Sequence, residues 1–381
     1  MPLRLPLRPR TAPSTQADPT DTGVRITGMT KSFGGATAVK DLSLTIRRGE
    51  FLVLVGPSGC GKTTTMRSIA GLETPDRGRI DIEGEVVFDA AAGLDVAPNK
   101  RNVGLVFQSY AIWPHRTVAE NVAFPLMVRK LPTAEIAART AEVLGVFGLQ
   151  DFADRGASQL SGGQMQRVAL ARSIVMNPRV LLLDEPLSNL DAKLRERLRS
   201  EIKRTQRRFG TTTVHVTHDQ AEALAIADRI AVMRDGRIEQ IGEPTEIYRE
   251  PRNRFVADFM GACNLIDVEL LDADSRRAIV RLPTGQLLEA HPPAEDLPAY
   301  TLCVRPEALR LTAVDPTAID PAALVATVEL VSFMGNHFAY ELRLPDGTPL
   351  LATGEATTPV ANAGEPVLVE VDPSDALIIG P

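Results

Sequence analysis

A glycine-rich segment after the apolar run at 51–55 has the residue types of a phosphate-binding loop. Its members are Gly56, Pro57, Ser58, Gly59, Cys60, Gly61, Lys62, Thr63 and Thr64. Glycines let backbone N–H groups converge on phosphate oxygens, and the helix that follows directs the positive end of its dipole at the same anion. In this pattern Lys62 reaches the β- and γ-phosphates, and the hydroxyl of Thr63 is a ligand for Mg²⁺. The segment therefore predicts a strand, a nucleotide-binding loop and a helix.

Two carboxylates, Asp184 and Glu185, follow a second apolar run at 180–183. Such a run is typical of a buried parallel strand, and ligands of open α/β sheets bind at the carboxyl ends of such strands. Phosphoryl transfer needs a metal, a positioned water and charge stabilisation. We therefore expect Asp184 to bind Mg²⁺ and Glu185 to be the base for the attacking water. An acidic pair alone is more often a helix cap or a surface turn, so this assignment depends on the phosphate loop.

A third motif lies about twenty residues before the acidic pair. It follows Leu160 and consists of Ser161, Gly162, Gly163 and Gln164. A serine and two glycines that open a helical stretch over 164–175 make an anion site, although the same residues alone would be a loop with a helix cap. A nucleotide kinase has no use for this motif.

With these three motifs, the chain from about Val24 to its C-terminus resembles the ATP-binding subunits of ABC importers, in the subgroup that includes maltose, polyamine and ferric-iron systems. The resemblance implies ATP hydrolysis with Mg²⁺ by a head-to-tail dimer of two copies. The segment Ser161 to Gln164 of one copy would close over the γ-phosphate held by Lys62 of the other. Met165 departs from the family, which usually has a polar residue there.

The resemblance also implies roles for four single residues. Gln108 would contact Mg²⁺ or the attacking water and link the nucleotide to the membrane subunit. His218 resembles the switch histidine that contacts the γ-phosphate, and Asp191 lies in the loop that crosses the dimer interface. Phe33 stands where family members place an aromatic ring on adenine, and the alternative is that it is a core aromatic. The implied metal ligands are thus Thr63, Gln108 and Asp184.

The implied partners are transmembrane permease subunits and, through them, an extracytoplasmic substrate-binding protein. The implied location is peripheral, on the cytoplasmic face of the inner membrane. In the family, the region that here holds Trp113 docks a short helix of the transmembrane subunit; the alternative is that Trp113 simply packs in the helical subdomain. Arg116 departs from the methionine common in the family at that position.

Length and composition fit a cytoplasmic protein of two or three domains. The chain has 381 residues with 44% hydrophobic residues, and no apolar span approaches eighteen residues, so we expect no membrane crossing. The three cysteines, Cys60, Cys263 and Cys303, are far apart in sequence, which argues against a disulfide framework and fits a reducing compartment. Residues 1–23 lack periodicity and an apolar core, so we expect a disordered extension and no secretion signal.

Charge is unevenly distributed along the chain. Residues 262–381 hold 18 Asp and Glu, six Arg and no Lys, a net charge of −12, whereas the whole chain carries −6. Residues 1–261 therefore carry +6. The acidic C-terminal part argues against nucleic-acid binding.

The fold class predicted from these patterns is an α/β P-loop ABC ATPase domain with a helical subdomain, followed by a small all-β, barrel-like regulatory domain. The ATPase domain would span 24–261, with helices concentrated in 118–177, strands at 180–184, 213–217 and 229–234, and a hairpin turning at 235–236. The regulatory domain would span 262–381, with strands at 265–270, 278–282, 302–305, 325–331, 338–344 and 367–371. Arg305-Pro306-Glu307 resembles the entry motif of this domain in the family.

Two other functions remain open at this point. One is a non-transport ABC ATPase of repair or translation, although such proteins commonly carry two ATPase modules and this chain has one set of motifs. The other is a binding or regulatory module in which the acidic barrel carries the main function and ATP hydrolysis only sets the timing. For an importer, residues 107–115 look more like ferric-iron, polyamine or aminoethylphosphonate members than like maltose members.

Overall fold

The computed structural model describes residues 21–188, 191–293, 297–314 and 323–381. Residues 1–20 of the segment expected to be disordered lie outside the described residues. The expectation is wrong for Thr22 and Gly23, which are buried at the start of the first strand, where Thr22 pairs with the second strand. The chain divides into two compact units, one formed within 21–52, 59–216 and 235–237, and the other within 53–58, 217–234 and 238–381. Among the described residues, no helix combines the length and apolar character that crossing a membrane requires.

The expected alternation of strands and helices is present up to residue 261. The strands are β1 Thr22–Phe33, β2 Ala36–Arg47, β3 Phe51–Val55, β4 Arg77–Ile82, β5 Glu85–Asp89, β6 Leu94–Asp95, β7 Val103–Val106, β8 Val180–Asp184, β9 Thr212–Thr217, β10 Arg229–Arg234 and β11 Arg237–Gly242. The helices are α1 Lys62–Ala70, α2 Val118–Val128, α3 Thr133–Val146, α4 Gly162–Ile174, α5 Ala192–Phe209, α6 Gln220–Ile226, α7 Pro244–Arg249 and α8 Arg254–Phe259.

Two apolar runs, β3 and β8, are buried along their whole length. They belong to a six-stranded sheet with the strand order β11-β10-β3-β9-β8-β7, and a separate five-stranded antiparallel sheet has the order β2-β1-β4-β5-β6. Strands β7, β8 and β9 are parallel, with Val106 opposite Leu183 and Asp184 opposite Val216. Their carboxyl ends therefore meet at one edge of the sheet, where Gln108, Asp184 and Glu185 follow or end them.

Several of the helices begin at a residue whose side chain caps them. Thr117 and Glu120 form a capping box at the start of α2, because each side chain accepts a hydrogen bond from the other residue's backbone N–H. Helix α4 begins at Gly162, two residues before the expected start. The hairpin of β10 and β11 turns at Asp235 and Gly236, which both have positive φ (49° and 82°), as a tight two-residue hairpin turn requires.

Beyond Gly261 the structure is almost entirely β, as expected. The strands are β12 Asn264–Ala273, β13 Ala278–Arg281, β14 Leu287–Ala290, β15 Tyr300–Val304, β16 Leu309–Ala313, β17 Val325–Phe333, β18 His337–Arg343, β19 Pro349–Glu355, β20 Pro366–Val371 and β21 Ala376–Ile379. They form two five-stranded sheets, β14-β13-β12-β15-β21 and β16-β20-β17-β18-β19. Both sheets contribute buried side chains to one hydrophobic cluster, whose members include Ile266, Val280 and Tyr340.

Candidate functional site

The phosphate loop is held in a backbone shape that side chains would disturb. Gly61 has a φ of 103°, and a Cβ there would lie 2.5 Å from the carbonyl oxygen of Ala38 in β2. The N–H of Gly236 donates to the carbonyl of Cys60 at 3.2 Å, which fixes the loop from the hairpin turn. Lys62 begins α1 and is only 6% exposed, with its Nζ 3.7 Å from the Cys60 sulfur. The loop therefore presents backbone N–H groups and one lysine at the start of a helix.

The predicted metal ligands Thr63 and Asp184 lie together. The Thr63 hydroxyl donates to Asp184 Oδ1 at 3.3 Å, although the two residues are 121 positions apart in sequence. Asp184 is 7% exposed, and burial raises the pKa of its carboxyl, while the Arg67 guanidinium, 3.9 Å away, acts in the opposite direction. Arg67 was missed by the sequence analysis because only its position one turn after Thr63 on α1 distinguishes it from any exposed arginine.

These oxygens fit Mg²⁺. A hydroxyl and a buried carboxylate are hard oxygen ligands, and a carboxylate removed from water is stabilised by a nearby cation. Within the part of the chain that the structure describes, no cluster of three or more His, Cys, Asp or Glu residues has metal-binding geometry. Mg²⁺ does not need such a cluster, because it is commonly held by one or two protein groups, water and substrate phosphates.

Glu185 sits on a strained backbone directly after β8. Its φ is 45°, a left-handed conformation that non-glycine residues rarely adopt and that is over-represented at functional sites. Its N–H donates to the carbonyl of Val216 at 3.0 Å, and its own carbonyl accepts the Ser188 hydroxyl at 3.0 Å. Gln108 Nε2 in turn donates to that hydroxyl at 3.2 Å. Ser188, which the sequence analysis did not select, thus joins the predicted water-positioning glutamine to the backbone of the predicted base.

His218 follows β9, and the residues around it form a closed hydrogen-bond network. The Thr217 hydroxyl donates to Glu222 at 2.7 Å and accepts the N–H of Asp219 at 3.0 Å. The Asp219 carboxylate caps α6 by accepting the N–H of Glu222 at 2.9 Å. The backbone at His218 is therefore fixed from both sides, and its contact with a γ-phosphate stays a prediction.

The motif of Ser161 and Gln164 forms a capping box at the start of α4. Ser161 accepts the Gln164 N–H at 3.4 Å, and Gln164 Oε1 accepts the Ser161 N–H at 2.9 Å. An added Cβ on Gly163 would lie 3.1 Å from the side chain of Leu194 in α5. Asp191 caps that same helix by accepting the Leu194 N–H at 2.9 Å. The structure thus places the start of α4 against the helix that Asp191 begins.

Phe33 is an exposed residue at the end of β1. Its side chain is 46% exposed, and the Lys31 ammonium lies 5.0 Å from its ring centroid. The alternative that Phe33 is a core aromatic is therefore wrong. An exposed aromatic ring suits stacking on a nucleobase, which stays a prediction.

Trp113 packs within the helical region, as one of the two alternatives expected. Its ring lies 4.4 Å from that of Phe124 in α2, and the Arg172 guanidinium lies 4.8 Å from it. Arg172 also donates to the carbonyls of Tyr110 and Ala111, two residues with positive φ. The half-buried Trp113 is thus part of the contact between the loop after Gln108 and α4, and docking of a membrane subunit stays a prediction.

Two family models match the chain, the ABC transporter model at residues 39–188 and the TOBE domain model at residues 302–379. The ABC transporter match includes the phosphate loop, Gln108, the segment from Ser161 to Gln164 and the acidic pair. The TOBE domain match falls on the β-sheets after Gly261.

Relatives with import functions cover most of the chain. The spermidine/putrescine import ATP-binding protein PotA of Rubrobacter xylanophilus is 46% identical over 94% of this chain and 93% of its own length. The Fe(3+) ions import ATP-binding protein FbpC 1 of Rhizobium meliloti is 46% identical over 84% of this chain and 87% of its own length. The trehalose/maltose import ATP-binding protein MalK of Thermococcus litoralis is 55% identical over 63% of this chain and 64% of its own length.

Solved structures match about three fifths of the chain. CbiO1 from Clostridium perfringens, described as part of an ABC transporter complex, has a TM-score of 0.55 and 30% identity and covers 60% of this chain and 92% of its own. A dimeric ATP-binding cassette in a post-hydrolysis state, bound to ADP and phosphate, has a TM-score of 0.50 and 33% identity. The match covers 58% of this chain and 98% of the cassette.

Proposed function

The chain belongs to the ABC-transporter import ATP-binding proteins, and from this premise we propose that it hydrolyses ATP at the site around Lys62, Asp184 and Glu185 to drive import through membrane subunits. The observation that carries this proposal is the contact of Thr63 with Asp184, followed directly by Glu185 on a strained backbone. This contact supports the proposal because it joins the helix after the phosphate loop to the carboxylate proposed to bind the metal, and the proposed base is the next residue.

Each residue of the site has a chemical group that suits one step of ATP binding or hydrolysis. Lys62 and the loop N–H groups bind the β- and γ-phosphates of ATP. Thr63, Asp184 and Gln108 would hold Mg²⁺, which neutralises charge on the phosphates when bound. Glu185 orients the attacking water and accepts its proton, because a carboxylate beside the phosphate is a competent general base. His218 contacts the γ-phosphate and stabilises the charge that develops there.

The site is complete only with a second copy of the chain. Gly162 and Gly163 offer backbone N–H groups at the start of α4, and a helix start attracts an anion. In one chain the Ser161 and Gln164 side chains cap each other. We propose that this start of α4 closes on the γ-phosphate of the partner copy, with Asp191 at the interface. The dimeric form of the related cassette supports this arrangement.

The remaining assignments follow from the relatives. We propose that 24–261 is the ATPase domain and 262–381 the regulatory domain, that permease subunits bind the ATPase domain at the cytoplasmic face of the membrane, and that an extracytoplasmic protein delivers the substrate. Polyamine and ferric-iron relatives are equally identical to this chain at 46%. The substrate class proposed is therefore a polyamine, ferric iron or, by resemblance, aminoethylphosphonate.

The test is to capture tagged Glu185→Gln protein from detergent-solubilised native membranes with ATP present and to identify what is recovered with it. We expect a membrane protein with several spans, and its associated binding protein is then titrated with iron, polyamines and phosphonates. Recovery of a soluble partner, or of none while ATP binding is intact, would contradict import and favour a non-transport ATPase.

Replacing Trp113 by alanine should lower transport more than basal ATP hydrolysis, by about 30-fold against less than 2-fold, since it removes an aromatic hot-spot contact of about 2 kcal/mol from the proposed permease surface. The measurement is uptake and ATPase rate in the same reconstituted vesicles. The control is Phe124→Ala, which removes the same ring contact from the other side. Equal loss of uptake and hydrolysis in Trp113→Ala, or the same uncoupling in Phe124→Ala, would count against docking.

A further inference from the structure

Two of the three cysteines, which are distant in sequence, meet in the β-rich C-terminal part of the chain. The sulfur atoms of Cys263 and Cys303 lie 2.9 Å apart, and both residues are free thiols. Cys303 lies in β15 opposite Leu265 of β12, and Cys263 stands immediately before β12. The two thiols are therefore diagonal neighbours across an antiparallel strand pair.

From this geometry we propose that Cys263 and Cys303 form a reversible modification site, at which a peroxide converts the two thiols into a disulfide that joins the start of β12 to β15. A disulfide requires the sulfurs to approach by about 0.9 Å from their present separation. Cys263 can make that movement because it lies outside the strand and follows the exposed Ala262. Cys60, in the phosphate loop, has no part in the proposal.

The surroundings give the two thiols different roles. The hydrogen bond between the two thiols and the charge of the Arg305 guanidinium lower the pKa of Cys263 against the opposing effect of burial. Arg305 is fixed in place by donating to the carbonyls of Ala257 and Gly261 at 2.9 Å and lying over the Tyr248 ring. Cys303 is only 2% exposed, whereas Cys263 is half-buried. Cys263 is thus the thiol that a peroxide can reach, and Cys303 is the thiol that resolves the product.

The reaction balances with hydrogen peroxide as the oxidant. The Cys263 thiolate attacks one oxygen, so that an S–O bond forms, the O–O bond breaks and, with one proton, water leaves. The Cys303 sulfur then loses its proton and attacks the Cys263 sulfur, so that the S–S bond forms, the S–O bond breaks and a second water leaves. Two thiols lose two electrons in total, and the peroxide accepts them. A dithiol reductant reverses the step.

The test is peptide mapping of the full-length protein. Reduced protein is treated with stoichiometric hydrogen peroxide, blocked with N-ethylmaleimide and digested with trypsin without reductant. Cleavage after arginine and lysine puts Cys263 in peptide 255–276, Cys303 in 282–310 and Cys60 in 49–62, because the bond between Arg305 and Pro306 resists trypsin. We expect 255–276 linked to 282–310, lighter by two hydrogens than the two reduced peptides and released by dithiothreitol.

Two variants are the matched controls. In Cys303→Ser we expect no linked peptide and a Cys263 sulfenic acid that dimedone traps; in Cys263→Ser we expect an unmodified, shielded Cys303. Oxidation of the wild type should also raise its unfolding temperature by about 5 °C, and oxidation of Cys263→Ser should not. The proposal is overturned if Cys263 stays unmodified in the peroxide-treated wild type, if it is oxidised without a link to 282–310, or if its link is to the Cys60 peptide. The wild-type map decides even if a variant fails to fold.

Discussion

Replacing Glu185 by glutamine is expected to lower the rate of ATP hydrolysis by about 10²–10⁴-fold while ATP still binds. The amide has the size of the carboxylate and fits the same left-handed backbone, where φ is 45°. The N–H of residue 185 keeps its bond to Val216, and the carbonyl keeps its bond to Ser188. An amide cannot accept the proton of the attacking water, so turnover stops with both nucleotides bound and the closed dimer accumulates.

The measurements are steady-state phosphate release, nucleotide binding and the dimer fraction by size-exclusion chromatography with ATP. The control is Glu243→Gln, the same chemical change at an exposed carboxylate before α7, for which turnover should be within 2-fold of the wild type. If Glu185→Gln hydrolyses ATP at a rate similar to the wild type, Glu185 is not the base. If the variant no longer binds ATP, Glu185 contributes to ATP binding and not only to the hydrolysis step.

The parts of the site that sequence could predict are those whose contacts are local. The apolar run before Asp184 became β8 with the expected bounds, because a buried parallel strand needs side chains that are apolar on both faces. The short strands β14, β16, β19 and β21 were not predicted. Length is not the reason, because β13 and β15 are as short and were predicted. Strands β14, β16 and β19 bury only one or two side chains each and so lack a continuous apolar run.

The residues that sequence missed are defined by partners far along the chain. Ser188 acquires its role from Gln108, 80 positions away, and Arg172 acquires its role from the carbonyls of Tyr110 and Ala111, which are more than 60 positions away. The local sequence around Ser188 or Arg172 contains no pattern that indicates these distant partners. The proximity of Cys263 and Cys303 could not be predicted for the same reason, since strand pairing alone brings them together.

The expected result of replacing Gly61 by alanine is a loss of ATP affinity of about 100-fold or more, equal to about two charge-assisted hydrogen bonds. The new Cβ would lie 2.5 Å from the Ala38 carbonyl oxygen, and backbone atoms of β2 cannot move away as a flexible side chain would. The φ of 103° adds strain for any L side chain. The loop must therefore move, and its N–H groups no longer converge on the phosphates.

The matched control is Gly84→Ala in the turn after β4. Gly84 also has a positive φ, 81°, but a Cβ there meets no atom within 4 Å. It therefore carries the strain without the collision and should cost about 1 kcal/mol of stability with unchanged ATP affinity. ATP titration by fluorescence and thermal unfolding of both variants separate the two effects. If Gly61→Ala binds ATP as Gly84→Ala does, the close approach of β2 does not shape the loop, and the phosphate site must be held by other contacts.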